Sequence, residues 1–299
     1  MDINFEYYKI FYFVAKYKNI TRAAAALRSS QPNVTRVMKL LEAQLGCRLF
    51  VREARGISLT EEGERLCAHV EIAYRHLRCA QEELCKREDA GSGTVEIGAT
   101  ETAIHLFLLH ALRGFQSAYP AIRIRIHNHT TPGVIRQLTG GTLDFAVITT
   151  PFELPKDISG ETVQEFREIL VGGTQYGRLC GASFGPEDIK RYPWVGLGKG
   201  SATYELYRDF FIGHKVDAEP DLEVETSNLM LPLIEQNFGI GFVPEALAFS
   251  LLEEGKLVQI PFDCELPKRS VQLVLNQGRG SSPAADTCRQ YLLKMAETS

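Results

Sequence analysis

The stretch ITRAAAALRSSQPNVTRVMKLLEAQLG, residues 20–46, decides the fold of the first part of the chain. It predicts two helices joined by a short turn. The first helix is nearly all alanine, so a second helix can cross it closely, and Thr21 is its expected N-cap. The second helix should be capped by Ser30 and should carry Pro32 in its first turn, where a missing N–H costs nothing. It should end at Gly46, the residue best able to adopt the left-handed conformation beyond a C-terminus.

The second predicted helix has two chemically different faces. Val34, Met38, Leu41 and Leu45 follow the spacing of a buried apolar stripe. The side turned away from this stripe, or crowded at the N-terminal end, carries Gln31, Pro32, Asn33, Thr35, Arg36 and Lys39. Such amide, hydroxyl and cationic side chains match base edges and phosphates in a DNA major groove. A merely solvated helix face is the alternative interpretation.

A basic hairpin is predicted after Gly46. Leu49, Val51, Ile57 and Leu59 fit two short strands, with Arg52, Arg55 and Gly56 at the tip between them. A wing of this kind can lay arginine along phosphates or in the minor groove. The predicted DNA contacts are Thr21, Ser30, Gln31, Pro32, Asn33, Thr35, Arg36, Lys39, Arg52 and Arg55.

The charge is distributed unevenly along the 299 residues, although the overall formal charge is only −4. Residues 1–57 hold ten Lys or Arg against four Asp or Glu, a net +6, and the remainder holds 23 against 33, a net −10. A basic head on an acidic body indicates a polyanion-binding module joined to a second function.

Targeting and cofactor signals are weak throughout the sequence. There is neither a basic N-terminal region followed by an apolar run nor an apolar run long enough to span a membrane, so we expect a cytoplasmic protein without membrane contact. The seven cysteines are scattered and form no CxxC pair, which argues against a disulfide framework or a zinc site. We therefore expect no metal and no cofactor.

A long helix is predicted for residues 58–87, capped by Ser58 or Thr60. Its apolar residues follow a narrow heptad seam: Leu66, Val70, Ala73, Leu77, Ala80 and Leu84. A seam of two apolar residues per heptad usually pairs with a like helix, so we expect a dimer; packing on the chain's own body is the alternative. The charged and then small residues 86–93 form a linker.

Beyond the linker, strands and helices alternate. Strands near 94–99, 122–126 and 143–148, with helices near 101–118 and 132–139, form a βαβαβ run and indicate a parallel sheet with helices on both faces. A second run has strands near 161–172, 194–197, 222–224 and 240–243 and helices near 201–212, 227–237 and 244–254. A strand at 271–275 and a helix near 283–296 return to the first lobe. The chain is therefore expected to form two α/β lobes and to cross between them twice. In this architecture a ligand is expected at the ends of the strands.

On the basis of these residues, the chain resembles the LysR-type transcriptional regulators along nearly its whole length. The resemblance rests on residues 20–27, 30–32, 34–36, 41–46, 49–52, 59–60 and 62–63 in the head, and on residues 141–147, 239–241 and 243–244 in the body. Two residues depart from the pattern. Ser29 stands where the family is usually apolar, and Asn33, which offers a bidentate contact to adenine, stands where a smaller residue is common.

The resemblance implies an α+β multidomain protein, not an enzyme, with a winged helix-turn-helix, a dimerising linker helix and a bilobed effector domain similar to type-II periplasmic binding proteins. We assign these to residues 1–58, 59–90 and 91–299; lobe I spans about 91–163 and 267–299, and lobe II about 164–266. The partners implied are double-stranded DNA, a small-molecule effector and further copies of the chain as a dimer or tetramer. RNA polymerase is a further candidate partner.

The family's effector pocket is lined by strand ends. Carried onto this sequence, it predicts Thr100, Thr102, His129, Thr149, Lys199, Ser201 and Ser227 as effector-binding residues. Thr100, Ser201 and Ser227 each begin a predicted helix, where hydroxyls and free N–H groups favour an anion. Lys199 adds a positive charge and Glu101 subtracts one. The hypothesis is a small carboxylate or oxyanion with a polar tail near His129; simple helix capping is the alternative for each hydroxyl.

Other functions are less well supported. Residues 196–201 are glycine-rich, but their spacing fits neither nucleotide-binding loop pattern. We find no hydrolase signature. His127 and His129 are weak metal candidates, and Cys180 and Cys264 are weak redox candidates without a nearby basic pair. DNA binding that needs no effector stays open as a further alternative.

Overall fold

A computed structural model describes residues 3–53, 56–84, 92–181, 183–278 and 280–298. The chain divides into two compact units, residues 1–85 and 86–299. The first unit therefore contains the basic head together with the long helix that follows it. The second unit contains both α/β lobes.

Three helices form the head: α1 (Phe5–Tyr17), α2 (Ile20–Ala26) and α3 (Gln31–Leu45). The predicted ends of α3 are confirmed, since the Ser30 hydroxyl accepts a hydrogen bond from the Asn33 amide and Gly46 adopts φ 71°. The predicted cap of α2 is wrong. Asn19 caps this helix, because its side-chain oxygen accepts a bond of 3.0 Å from the Arg22 amide, and Thr21 lies inside the first turn.

The predicted apolar stripe of α3 faces the head's core. Val34, Met38 and Leu41 are buried there with Phe11 of α1. The alanines of α2 pack into the same core, as close crossing of two helices requires. Burial of these side chains therefore fixes which face of α3 stays in solvent.

The wing is an antiparallel hairpin of β1 (Phe50–Glu53) and β2 (Gly56–Leu59). The long helix α4 (Glu61–Leu84) follows it, and the Thr60 hydroxyl accepts a bond of 3.0 Å from the Gly63 amide at its start. Thr60 is thus the cap, rather than Ser58. The predicted continuation of the helix to residue 87 lies outside the described residues.

Lobe I is built on a five-stranded sheet in the order β4-β3-β5-β12-β6. Its strands are β3 (Gly93–Ala99), β4 (Ile122–Asn128), β5 (Phe145–Thr149), β6 (Ile158–Phe166) and β12 (Arg269–Asn276). The first three pair in parallel, as the βαβαβ pattern predicts, whereas β12 pairs antiparallel with both β5 and β6. Its helices are α5 (Glu101–Ala103), α6 (Leu109–Ala118), α7 (Thr131–Gly140) and α11 (Pro283–Thr298), with a π-helical segment Ile104–Leu108 between α5 and α6.

Lobe II has two small sheets. The strands β7 (Glu168–Gly173), β10 (Ile240–Pro244) and β11 (Leu257–Ile260) form an antiparallel sheet, and β8 (Val195–Leu197) pairs in parallel with β9 (Leu222–Val224). The helices are α8 (Ala202–Gly213), α9 (Met230–Glu235) and α10 (Glu245–Glu253), with 3-10 segments Thr174–Gly181, Pro186–Arg191 and Ser227–Leu229.

The chain passes between the lobes at Arg167 and again through residues 261–268. The single strand predicted near residues 161–172 is therefore two strands in two different sheets. The pattern of apolar and polar residues does not show where the first strand ends, because both segments are consistent with one continuous strand. The two crossings bring the ends of β5 and β12 close to α8, where the cavity described below lies.

Candidate functional site

The predicted DNA face of α3 is accessible. Gln31, Pro32, Arg36 and Lys39 are exposed, and Asn33 is half-buried. Thr35 is also half-buried, and its hydroxyl donates to the Gln31 carbonyl of its own helix at 3.0 Å. The side chains of Gln31, Arg36 and Lys39 are therefore accessible to an outside partner.

The two departures from the family pattern contact each other. The Asn33 side-chain amide donates to the Ser29 hydroxyl at 3.1 Å, and its carbonyl oxygen accepts from Arg36 Nη2 at 3.2 Å. Ser29 thus supplies an acceptor that orients the side chain of Asn33. The amide of Asn33 in turn holds the Arg36 guanidinium against the N-terminal half of α3.

Of the other four predicted DNA contacts, the structure describes Thr21 and Ser30 fully and Arg52 in its backbone only. Thr21 and Ser30 are exposed in the described head, on the first turn of α2 and immediately before α3. Arg52 lies on β1 opposite Ile57, rather than at the hairpin tip, and its side chain lies outside what the structure describes. Arg55 lies outside the described residues altogether.

A cavity of about 410 Å³ lies between the lobes. Lobe I contributes the ends of β3, β4 and β5, and lobe II contributes the loop after β8, the start of α8 and the residues after β9. All seven predicted effector residues line it: Thr100, Thr102, His129, Thr149, Lys199, Ser201 and Ser227. Gly198 and Gly200 of the glycine-rich loop also line it, so that loop presents backbone to the cavity.

The hydroxyls of the cavity have different partners. Ser201 caps α8, since its oxygen accepts from the Tyr204 amide at 3.1 Å. Neither Thr100 nor Ser227 caps its helix: the Thr100 and Thr149 hydroxyls are 3.5 Å apart, and the Ser227 hydroxyl accepts from Thr102 at 3.2 Å. The capping alternative therefore accounts for Ser201 and not for the others. The Thr102–Ser227 bond also joins the two lobes across the cavity.

The charged residues that line the cavity are mostly engaged elsewhere. Lys199 pairs with Glu219 at 3.2 Å, and both side chains are more than half exposed. This hydrogen bond raises the pKa of the Lys199 amine and lowers the pKa of the Glu219 carboxyl. On the other side, the Glu101 carboxylate accepts from the Asn128 side chain and lies 3.2 Å from His105 Nε2. Lys199 is thus a weak source of positive potential, because solvent and Glu219 screen it.

A buried arginine lies directly behind the cavity wall, and it was not predicted as a site residue from the sequence. Arg269 of β12 is only 4% exposed, and its Nη1 donates to Glu168 at 2.8 Å. Its Nε donates to the Thr150 carbonyl at 2.8 Å, and its Nη2 lies 3.4 Å from the Thr149 hydroxyl and 3.0 Å from that of Thr203. Thr149 and Thr203 both line the cavity. The only available signal was a basic residue directly before the apolar run of β12.

The same buried network includes a tyrosine. The Tyr207 hydroxyl donates to the second oxygen of Glu168 at 2.5 Å. Burial and the neighbouring Glu168 carboxylate raise the pKa of Tyr207 well above its usual value, so this phenol stays protonated. Glu168 is therefore held by a cation on one oxygen and by a neutral donor on the other.

Four further residues were candidates for metal binding or redox chemistry: His127, His129, Cys180 and Cys264. His127 Nε2 lies 2.7 Å from Glu96, and His129 lines the cavity. Within the described ranges, no three His, Cys, Asp or Glu side chains are grouped closely enough to hold a metal. Cys180 is exposed and Cys264 half-buried, whereas burial raises the pKa of Cys288 to about 12. No described helix is both long and apolar enough to cross a bilayer.

Comparison with known proteins covers both units. The family model of the bacterial regulatory helix-turn-helix protein, lysR family, matches residues 5–64, and that of the LysR substrate binding domain matches residues 88–297. The HTH-type transcriptional regulator CfxR of Cupriavidus necator is 24% identical over 288 residues, which cover 96% of this chain and 90% of that protein.

Two solved structures share the fold. Full-length CbnR complexed with its target DNA superposes with a TM-score of 0.68 at 20% identity, over 98% of this chain and 100% of that one. The effector binding domain of QuiR in complex with shikimate gives a TM-score of 0.61 at 17% identity, over 69% of this chain and 98% of that one.

The two family models together account for the exposed basic helix of the head and for the two-lobed body with its cavity. The match to the substrate binding domain begins at residue 88, close to the boundary between the two compact units, and the helix-turn-helix match ends at residue 64, within α4. The chain belongs to the LysR family of DNA-binding transcriptional regulators, with a helix-turn-helix head and an effector-binding body.

Proposed function

We propose that this regulator reads duplex DNA with the exposed face of α3 and the wing, and that a small acid bound between the lobes controls it. The observation that carries the proposal is the convergence of the seven predicted effector residues on one hydroxyl-lined cavity. Hydroxyl and backbone donors at the start of α8 favour an anionic group, because the helix dipole adds to them.

Arg36 is the proposed base-reading cation. It is exposed on α3, and Asn33 holds it in place at 3.2 Å. Arg36→Ala should weaken binding to the regulator's own operator about 10-fold to 100-fold and binding to unrelated duplexes much less. Arg113→Ala is the matched control, since it removes an exposed arginine from the body.

The wing arginines are assigned to phosphates. Arg52→Ala or Arg55→Ala should weaken binding to every duplex and should reduce the slope of log affinity against log salt by about 1. Fluorescence anisotropy with operator and scrambled duplexes at several salt concentrations measures both effects. Equal affinity of parent and variants for all duplexes at all salt concentrations would overturn the DNA assignment.

The effector proposal is tested with small acids on the full-length protein. Sulfate, benzoate, malate and shikimate are suitable, each carboxylate being compared with its primary amide. Shikimate is included because the fold-related effector binding domain of QuiR is solved in complex with it. An acid at 100 times its Kd should stabilise the body by about 2.7 kcal/mol, seen as a higher Tm. Indifference to all four acids would defeat the proposal.

Self-association through α4 is proposed for the outer part of the heptad seam. Val70 packs in the head's own core, whereas Ala73 and Leu77 are exposed. An exposed apolar stripe on a helix favours pairing with a like helix. Leu77→Glu should therefore dissociate the dimer in sedimentation experiments, with the exposed Glu71→Gln as control; an unchanged molecular mass would contradict this.

In this proposal the protein acts in the cytoplasm as a dimer or a pair of dimers. Effector binding changes the angle between the lobes, and the linker helices pass this change to the spacing or bending of the DNA-bound heads. Contact with RNA polymerase would then depend on how the bent DNA presents the regulator.

A further inference from the structure

We propose that Arg269 is a positioning residue of the effector site: it turns the hydroxyl hydrogen of Thr203, and that of Thr149 or its neighbour Thr100, towards the cavity and so gives the site its preference for an anion. The inference rests on the proposed function, since it concerns the acid-binding cavity between the lobes. It adds Thr203 as a direct donor and assigns the charge selectivity to a residue that does not itself line the cavity.

The guanidinium is rigidly held behind the cavity wall. Its side chain is 2% exposed, that of Glu168 is 4% exposed, and their closest atoms are 2.8 Å apart. The Thr150 carbonyl accepts from its Nε, and the ring of Phe166 lies 5.2 Å from its central carbon. With these contacts in place, Nη2 has a fixed direction towards the threonine hydroxyls.

The chemistry of the guanidinium decides which way those hydroxyls point. A guanidinium has only donors, so an oxygen within its hydrogen-bonding reach must be the acceptor. Thr203 Oγ1 accepts from Nη2 at 3.0 Å, and among the described residues no hydrogen bond uses the Thr203 hydroxyl as donor. Its hydrogen is therefore available to a ligand in the cavity.

Thr149 extends the same polarity to Thr100. Thr149 Oγ1 is 3.4 Å from Nη2 and 3.5 Å from Thr100 Oγ1. If Thr149 donates to Thr100, then the Thr100 hydrogen is the one that faces the cavity. Whether the hydrogen belongs to Thr149 or to Thr100, a second threonine hydroxyl faces the cavity as a donor beside that of Thr203. Hydrogen bonds polarise one another along such a chain.

This arrangement explains how the cavity can favour an anion although its lining carries little net positive charge. Lys199 is exposed and paired with Glu219. Glu101 and Glu225 also line the cavity. The remaining favourable terms are hydroxyl donors next to a buried cation and the amides at the start of α8, and these act at short range on a bound oxygen.

The experiment distinguishes the loss of the hydroxyl donor from a change in the shape of the side chain. Thr203→Val removes the donor at nearly constant volume, Thr203→Ser keeps it, and Thr162→Val removes an exposed threonine elsewhere in the body as a control. Arg269→Lys keeps the charge, but a single ammonium cannot replace a planar fork that bonds to Glu168, Thr149 and Thr203. The probes are sulfate and the three carboxylates with their amides, titrated calorimetrically into the full-length protein.

Thr203→Val and Arg269→Lys should lose about 10-fold to 100-fold in affinity for the acids and less than about 3-fold for the amides, as expected for a hydrogen bond to a charged group. Thr203→Ser and Thr162→Val should bind like the parent. If the parent prefers acids and Thr203→Val keeps that preference in full, the Arg269 inference is overturned while the proposed function stands. A parent that binds no acid, or binds acid and amide equally, overturns both.

Discussion

Replacing Arg269 with methionine should destabilise the body strongly, and a second substitution at Glu168 should restore about half of the lost stability. Arg269→Met removes the cation and leaves the Glu168 carboxylate buried, with the Tyr207 hydroxyl as its one remaining side-chain donor among the described residues. An uncompensated charge in this environment is far less stable than either an intact ion pair or a neutral pair.

The magnitude follows from the contacts. Removing one partner of a buried ion pair costs about 3–5 kcal/mol, and we expect Arg269→Met to fall in this range. Glu168→Gln leaves the guanidinium buried but keeps an acceptor, so a loss of about 3 kcal/mol is expected. In the double variant both charges are gone, and the loss should fall to about 1–3 kcal/mol, since the Thr150 carbonyl still lacks its donor.

Urea denaturation of the four proteins, followed by the fluorescence of Trp194, measures these losses. Trp194 is 4% exposed in lobe II, in the same core cluster as Tyr207, so its signal reports the unit that contains the pair. The loss of stability in the double variant should be smaller than the sum of the two single losses by at least about 3 kcal/mol. Strictly additive losses, or an Arg269→Met loss below about 1 kcal/mol, would refute the view that this buried pair is intact and coupled.

Two further predictions concern other parts of the molecule. Gly63→Ala should destabilise the head by about 1–3 kcal/mol in thermal unfolding, because the new methyl carbon would lie 2.1 Å from the Leu49 carbonyl oxygen; an unchanged Tm would contradict this packing. Glu96→Gln should cost about 1 kcal/mol at pH 7, because hydrogen bonds from the half-exposed Arg125 and His127 side chains stabilise the carboxylate. Burial opposes ionisation of Glu96, but these bonds outweigh it and lower its pKa, so the difference from the parent should shrink as the pH falls through that lowered pKa and should persist above it.

The head was predictable from sequence because its signals are local. Ser30 and Gly46 fix the two ends of α3, and the apolar spacing within that helix fixes its buried face. Each signal acts over a few residues, and burial of one stripe leaves the opposite side exposed. The displaced cap of α2 shows the limit of this reasoning, since Asn19 and Thr21 are both acceptable caps and only the backbone path chooses between them.

The cavity was predictable for a different reason. In a parallel sheet the carboxyl ends of the strands meet at one edge, so residues that follow β3 and β5 must come together wherever they lie in the sequence. Together with the resemblance to the family, this rule placed Thr100 and Thr149 at the cavity without any knowledge of their hydrogen-bond partners. It said nothing about which hydroxyls cap a helix and which face another hydroxyl.

The helix-turn-helix, its exposed face and the edge of the sheet where the cavity lies thus follow from sequence signals alone. The tertiary structure alone decided the charge at that edge. Lys199 is paired with Glu219, 20 residues later, and Arg269 meets Glu168 and Thr203 across separations of 101 and 66 residues. Propensity and periodicity act between near neighbours. The Lys199–Glu219 contact forms only when lobe II folds, and the Arg269 contacts form only when the chain crossings bring the two lobes together.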